Sequence, residues 1–268
     1  MNQPTSIILC STYHDPQFRL KSLLTSALPK IKSIFSKLTV CCTPATPDEV
    51  LKFLIKEDFE VVAGLRMIQV DNYKTAIKLA LDQIVSPENE KIFYCDFDRL
   101  IHWINTYPDE LAKTLKNNSD VEYLHIGRTQ RAFSSHPVTQ KETEIMVNEL
   151  GSRILGFSET RDLISVCFLF TKDLGEKILK IKNTTKTGFY GIWPVIFWSS
   201  TNQRRYVENE GLEWETPDQF LPEISNIGYE DWLKKFQTPK EWNRRVQLLH
   251  DVLIELIEIG NFKNILNV

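Results

Sequence analysis

Asp96 and Asp98 close an apolar run, Ile92-Phe93-Tyr94-Cys95, within the stretch Lys91 to Asp98. Side chains alternate faces along a strand, so this spacing places both carboxylates on one face and Phe97 on the other. Two like charges side by side repel, and the end of a buried strand tolerates them where a cation or phosphate chemistry compensates. A hard divalent cation takes carboxylate oxygen together with phosphate oxygen. Ligands of open α/β sheets sit at the carboxyl ends of the strands, where this pair falls. The expectation is a site for a divalent cation and a phosphorylated ligand.

A second dense cluster is Gly127-Arg128-Thr129-Gln130-Arg131-Ala132-Phe133-Ser134-Ser135-His136-Pro137, directly after a predicted strand. The guanidinium forks of Arg128 and Arg131 suit a diphosphate or a carboxylated sugar, and His136 suits a developing phosphate charge. The same residues equally describe a polar surface loop with arginine–carboxylate pairs. Gln140, Glu144 and Asn148 follow at helical spacing on one face. Glu144 is the leading candidate for a base or acceptor contact, against a solvated helix face. Asp162, ahead of the apolar run Leu163 to Phe170, is a second candidate acid. Asp71 follows the third predicted strand at a position that suits a helix N-cap. Trp193-Pro194 and Gly211 to Thr216 suggest an aromatic wall for a sugar, with core packing as the alternative. His102 and Trp103 either line the same site or pack in a core.

These residues need a scaffold, and the first hundred positions alternate strand and helix. Strands are expected at Ser6–Cys10, Leu38–Thr43, Val61–Val62 or Met67–Val70, and Ile92–Cys95. Helices are expected at Phe18–Phe35, interrupted or bent at Pro29, then from Thr46 through Ile55, and at Tyr73–Ile84. Thr46-Pro47-Asp48-Glu49 reads as a capping box with Thr46 as N-cap. This order calls for an α/β fold: a mostly parallel, Rossmann-like central sheet with helices on both faces. Downstream, helices are expected at Leu100–Asn117, Ser135–Leu155, Asp173–Ile181 and Arg244–Ile259. Strands are expected at Val121–Ile126, Leu163–Phe170 and Arg205–Val207, with Trp193–Trp198 either helix or strand. No Gly-, Ser- or Pro-rich linker interrupts the chain, so one domain is expected over 1–268.

With 42% hydrophobic and 25% charged residues, composition excludes a disordered chain. A formal net charge of -3 argues against a nucleic-acid partner. No apolar run approaches the roughly 20 residues of a membrane span, and the N-terminus has no basic n-region, so a cytoplasmic protein is expected. Cys10, Cys41, Cys42, Cys95 and Cys167 lie in apolar runs without C-x-x-C spacing, which reads as free buried thiols rather than a zinc site.

With the strand alternation and the terminal D-x-D together, the first half resembles the GT-A class of nucleotide-diphospho-sugar glycosyltransferases. Ile7 to Tyr13 and Tyr94 to Asp98 carry the resemblance. The middle and C-terminal pattern is similar to bacterial GT-A-like proteins. The resemblance implies that the D-x-D, Asp98 with Asp96, holds Mn²⁺ or Mg²⁺, that Asp98 ligates the metal and Asp96 contacts ribose or a metal-bound water, and that Ser11, Thr12 and Tyr13 line the nucleotide. A nucleotide-sugar donor and a carbohydrate or small-molecule acceptor are implied as partners, with a nucleotide-binding half at 1–126 and an acceptor half with C-terminal helices at 127–268. The sequence departs from the family after its second strand, where Thr43-Pro44-Ala45-Thr46 replaces the usual acid and Asp71 is the residue that the resemblance would give the base or ribose contact, and near Tyr190 to Trp193, where no Glu-Asp pair supplies a base. A degenerate domain that binds nucleotide sugar or glycan without turnover is therefore the alternative. A phosphatase using the first Asp as nucleophile ranks below, because Arg99-Leu100 follows the motif and about three βα units precede it.

Overall fold

Ile7, Ile8, Leu9 and Cys10 have no polar partner face in sequence, and a strand buried on both faces needs none. They lie in the middle of a seven-stranded sheet in the computed structural model, which describes residues 6–64 and 69–259. In chain order the elements are β1 (Ser6–Tyr13), α1 (Lys21–Ile34), β2 (Lys37–Cys42), α2 (Asp48–Lys56), β3 (Glu60–Ala63), α3 (Gln69–Asp82) and β4 (Glu90–Tyr94). There follow α4 (Phe97–Thr106), α5 (Glu110–Asn117), β5 (Tyr123–Arg128), α6 (Gln130–Ser134), α7 (Val138–Ile154), β6 (Phe168–Phe170) and α8 (Lys172–Lys180). Last come α9 (Phe189–Ser200), β7 (Arg204–Asn209), α10 (Leu221–Ile227), α11 (Tyr229–Leu233) and α12 (Pro239–Ile259).

The sheet order is β3-β2-β1-β4-β6-β5-β7. β3, β2, β1 and β4 run parallel, while β6 lies antiparallel to both β4 and β5. The α/β expectation therefore holds, with a parallel half carrying the first strands. Phe93 stacks on Phe35 just past α1 at 5.6 Å, while its neighbour Tyr94 stacks on Tyr73 of α3 at 5.2 Å. Adjacent strand residues point oppositely, so α1 and α3 cover opposite faces of the sheet. α4 packs with α1, and α8 with α3, completing the two helical layers.

The described chain forms two compact units. The first holds residues up to Ile126 with Val166–Ile181 and Gln203–Val207; the second holds Gly127–Ser165, Lys182–Asn202 and the chain from Glu208. In the second unit α12 packs on α7 and α9. Gly191 permits the approach of α9, because a Cβ there would lie 2.4 Å from Val252 Cγ1 of α12.

Several local expectations are corrected. Pro47, not Thr46, is the N-cap of α2, and Thr46 Oγ1 instead donates to Tyr13 O. α1 begins at Lys21 and continues through Pro29. The helix expected over 100–117 is split at Tyr107, whose backbone is pushed out of the helical region by Pro108. The strand expected over 163–170 shrinks to Phe168–Phe170. Val166 sits at φ 54, which a β-branched residue adopts only under constraint, and the amides of Leu163 and Ile164 are taken by the Asn148 side chain instead of a ladder. The third strand forms at Glu60–Ala63; Met67 and Ile68 of the alternative segment, and the extreme N-terminus, lie outside the described residues. All five cysteines are free and buried. No helix among the described residues is long and apolar enough to cross a membrane.

Phe93 is fully buried against Phe35 in the central strand β4. Phe93→Ala is expected to cost about 3–5 kcal/mol in urea unfolding, and the volume-closer Phe93→Leu less than half of that.

Candidate active site

In the first unit β1 outruns β4: Cys10 pairs with Tyr94, and Ser11, Thr12 and Tyr13 continue beside Cys95 and Asp96. After Cys95 the chain does not continue as a strand. Asp96 stands at the N-cap position of α4 with extended backbone, and Phe97 starts the helix, its ring edge-on to Tyr13 at 5.0 Å and Phe59 at 5.5 Å. Strand alternation thus does not relate the two aspartates, as the sequence had suggested. Asp96 is a cap and Asp98 lies in the first helical turn, where a carboxylate also suits the helix dipole.

Asp96 occupies the cap position without capping, because its side chain is engaged elsewhere. Its Oδ1 accepts from Tyr73 Oη at 2.7 Å, Tyr94 Oη at 2.9 Å and Thr12 Oγ1 at 3.0 Å. No described hydrogen bond reaches Oδ2, although the residue is half-buried. Burial first, and then the Asp96 charge, push the Tyr94 phenol well above its ordinary value, so it stays a neutral donor. Asp98 is half-buried as well, with Oδ1 accepting from Arg99 N at 2.9 Å.

The three β1 residues divide by strand alternation. Ser11 is fully buried and donates to Cys95 O at 2.7 Å, holding the turn that delivers Asp96. Tyr13 donates to Asp15 Oδ2 at 2.9 Å, and burial, then Asp15, raise its pKa far above normal. Thr12 donates to Asp96 itself, while Tyr13 meets the D-x-D through the ring of Phe97. Asp71 falls in the first turn of α3, half-buried, beyond the N-cap position. Asp15, Tyr73 and Tyr94 were not read as site residues. Tyr73 lies 23 residues from Asp96, and only the packing of α3 across the sheet brings its hydroxyl there.

No group of three or more His, Cys, Asp or Glu among the described residues is arranged to hold a metal by itself. Asp96 and Asp98 nevertheless have the donor chemistry of a Mg²⁺ or Mn²⁺ site of the kind that takes one or two carboxylates and completes its shell with phosphates and water. The unengaged Oδ2 of Asp96 fits that use.

The remaining candidates lie in the second unit. Arg128 is the last residue of β5, not part of a following loop, and its guanidinium is buried. Asp162 accepts from Arg128 N at 2.9 Å, Nε at 2.7 Å and Nη2 at 2.8 Å, and from Asn148 Nδ2 at 3.0 Å. Glu144 Oε2 accepts from Arg128 Nη2 at 2.7 Å, and Arg245 Nη1 stands 3.6 Å from Glu144 Oε1. Phe133 covers the guanidinium at 4.7 Å. Burial would raise the Asp162 pKa, but the Arg128 charge and hydrogen bonds overcome it and bring it to about 2. Arg128, Asn148 and Asp162 also line a cavity of about 230 Å³ with Glu149, Arg161 and Glu208.

Arg131 is half exposed and pairs with Glu210 and Glu213. His136 is buried with Nδ1 against Ala132 O at 3.0 Å. Trp193 and Trp214 are buried too, Trp193 against Phe189 and Trp214 against Trp232 and Phe236, so the aromatic wall expected for a sugar is core packing. Trp103 is likewise in the core, with Nε1 donating to Glu110.

No protein-family model matches the sequence, and no curated protein matches it. Similar solved structures include crystal structures of glucosyl-3-phosphoglycerate synthase from Mycobacterium tuberculosis. One, in complex with Mg²⁺ and UDP, is 12% identical over 76% of this chain and 69% of that chain, with a TM-score of 0.49. A second, with Mn²⁺, UDP and glucosyl-3-phosphoglycerate, is 11% identical over 76% and 70%, with a TM-score of 0.45. A third, with Mn²⁺, UDP-glucose and phosphoglyceric acid, is 12% identical over 76% and 69%, also at 0.45. At this identity and overlap the likeness assigns no role to any residue.

The Asp162 pKa is depressed on folding from 3.8 to about 2, so the stability it adds is complete above about pH 4 and is lost as pH falls towards 2. This pairing contributes about 2 kcal/mol to unfolding free energies measured across that window. Asp162→Asn is expected to lower stability at neutral pH by about 3 kcal/mol and to flatten the acid limb.

Proposed function

We propose that this protein is a metal-dependent glycosyltransferase that binds a nucleotide-diphosphate sugar at the carboxyl edge of β1, β2 and β4. The carrying observation is the half-buried D-x-D beside the overhanging end of β1, with one oxygen of Asp96 anchored by three hydroxyls and the other unengaged. Parallel strands converge there, the position that open α/β sheets use for ligands. Asp98 and Asp96 would hold Mn²⁺ or Mg²⁺ through carboxylate oxygens. When bound, such an ion neutralises the charge that develops on a leaving diphosphate. The chain's own part is to set the carboxylates in place: Thr12, Tyr73 and Tyr94 orient Asp96, and Ser11 holds the turn before it. The acceptor is a carbohydrate or small hydroxylated molecule.

Arg128, Glu144 and Asp162 support a second reading. Asp162 and Glu144 are committed to Arg128, and an aspartate with a pKa near 2 is a weak base at neutral pH. We assign these carboxylates to positioning Arg128 rather than to proton transfer. A nucleotide-sugar binder without turnover has the same D-x-D and needs no base.

Thermal melting with UDP or GDP, each with and without Mn²⁺, tests the donor site. Stabilisation that requires the metal is expected, of about 2–3 kcal/mol at a hundredfold excess over Kd, and it should vanish in Asp98→Ala. The absence of any metal-dependent shift with either nucleotide overturns the site. Nucleoside diphosphate released from sugar nucleotides then distinguishes a transferase from a binder.

A further inference from the structure

The hydrogen bonds around Asp96 are unevenly placed. All three described donors to its carboxylate converge on Oδ1, from β1, β4 and α3. Thr12 Oγ1 also lies 2.9 Å from Tyr94 Oη. Oδ1 is thus filled by donors, while no described hydrogen bond reaches Oδ2. Two of the donors are locked in turn: Tyr94 is fully buried and stacks on Phe168 at 6.0 Å, and Tyr73 is buried and stacks on Tyr94 at 5.2 Å. Swinging Oδ1 towards a cation would break all three bonds together.

We infer that Thr12, Tyr73 and Tyr94 make Asp96 a one-oxygen ligand and thereby set the cation preference of the D-x-D site, favouring Mn²⁺ and Mg²⁺ over Ca²⁺. This rests on the D-x-D being the metal site proposed above. Ca²⁺ takes six to eight oxygens and commonly uses a carboxylate through both of them, whereas Mg²⁺-sized ions demand an octahedron that single carboxylate oxygens, phosphates and water complete. A carboxylate with one oxygen already filled suits the second geometry and denies Ca²⁺ the two-oxygen mode. Tyr73 is a positioning residue: its hydroxyl acts through Asp96. Outer-shell donors of this kind change metal affinity when removed, even though they never touch the ion.

Mn²⁺ binding in the presence of UDP, read from the electron paramagnetic resonance signal of the free ion and with Ca²⁺ as competitor, tests this without any assay of turnover. Wild-type protein should bind Mn²⁺ and release it only at a large excess of Ca²⁺. Tyr73→Phe should bind Mn²⁺ about 10- to 100-fold more weakly and lose much of the discrimination against Ca²⁺. Thr12→Val should shift both quantities in the same direction, and serves as the test if Tyr73→Phe does not fold; melting without metal or nucleotide shows which variants are folded. Wild-type affinity and unchanged Ca²⁺ competition in the folded variants would overturn the inference while leaving the donor site intact. Wild-type protein that binds no Mn²⁺ with UDP overturns the donor site, and this inference with it. A Mn²⁺ complex in which Asp96 chelates through both oxygens overturns the inference alone.

Discussion

A carboxylate that emerges from a buried strand must be solvated by the protein, and at Asp96 three hydroxyls do it at a single oxygen. That requirement ties together elements far apart in the chain. β1 must overhang β4 so that Thr12 lies beside Asp96, and the parallel register Cys10 to Tyr94 provides the overhang. α3 must lie on the face towards which Tyr94 points, so that Tyr73 can stack on it and donate. Phe97 must pack against Tyr13 and Phe59, and it does so as the first residue of α4. The helix start then carries Asp98 half-buried into its first turn. The site is a consequence of how a sheet of this topology closes over its own polar end.

The second unit meets the same difficulty with opposite sign. Arg128, carried inward at the end of β5, is a buried cation, and Asp162, Glu144 and Phe133 surround it. Such an arrangement contributes less net stability than its short contacts suggest, because desolvation opposes the attraction, yet removal of one partner is costly. Its chemical consequence is clear. Carboxylates held this tightly by arginine are acceptors of fixed geometry, suited to holding a charged wall in place and poorly suited to taking a proton. The two units therefore treat acids differently: Asp96 keeps one oxygen available, whereas Asp162 uses both on Arg128 and Asn148.

Much of the scaffold was legible in the residue order. The alternation of apolar runs and helical spacing up to Cys95 contains the parallel strands and their helices, because burial of a strand on both faces and amphipathic periodicity are local properties. The free cysteines were legible for the same reason. Errors arose where a tertiary partner outbid local preference. Thr46 looked like a cap until its hydroxyl was drawn to Tyr13 O. Leu163 and Ile164 looked like strand until Asn148 took their amides. Trp193 and Trp214 suited a binding wall or a core, and other aromatic rings place them in the core.

For the candidate site the division is sharper. By itself the sequence determined that two aspartates follow an apolar strand after three βα units, and hence that acidic side chains stand at the carboxyl edge of a parallel sheet. That follows from composition and periodicity along one stretch of chain. Only the tertiary structure decided how the pair is held: that the chain turns helical at Phe97, that Asp96 is anchored by Thr12, Tyr73 and Tyr94, and that Glu144 and Asp162 are spent on Arg128. The physical reason is that a hydrogen bond depends on atoms within about 3 Å, and no local pattern records which distant hydroxyl or guanidinium the fold will bring within that reach.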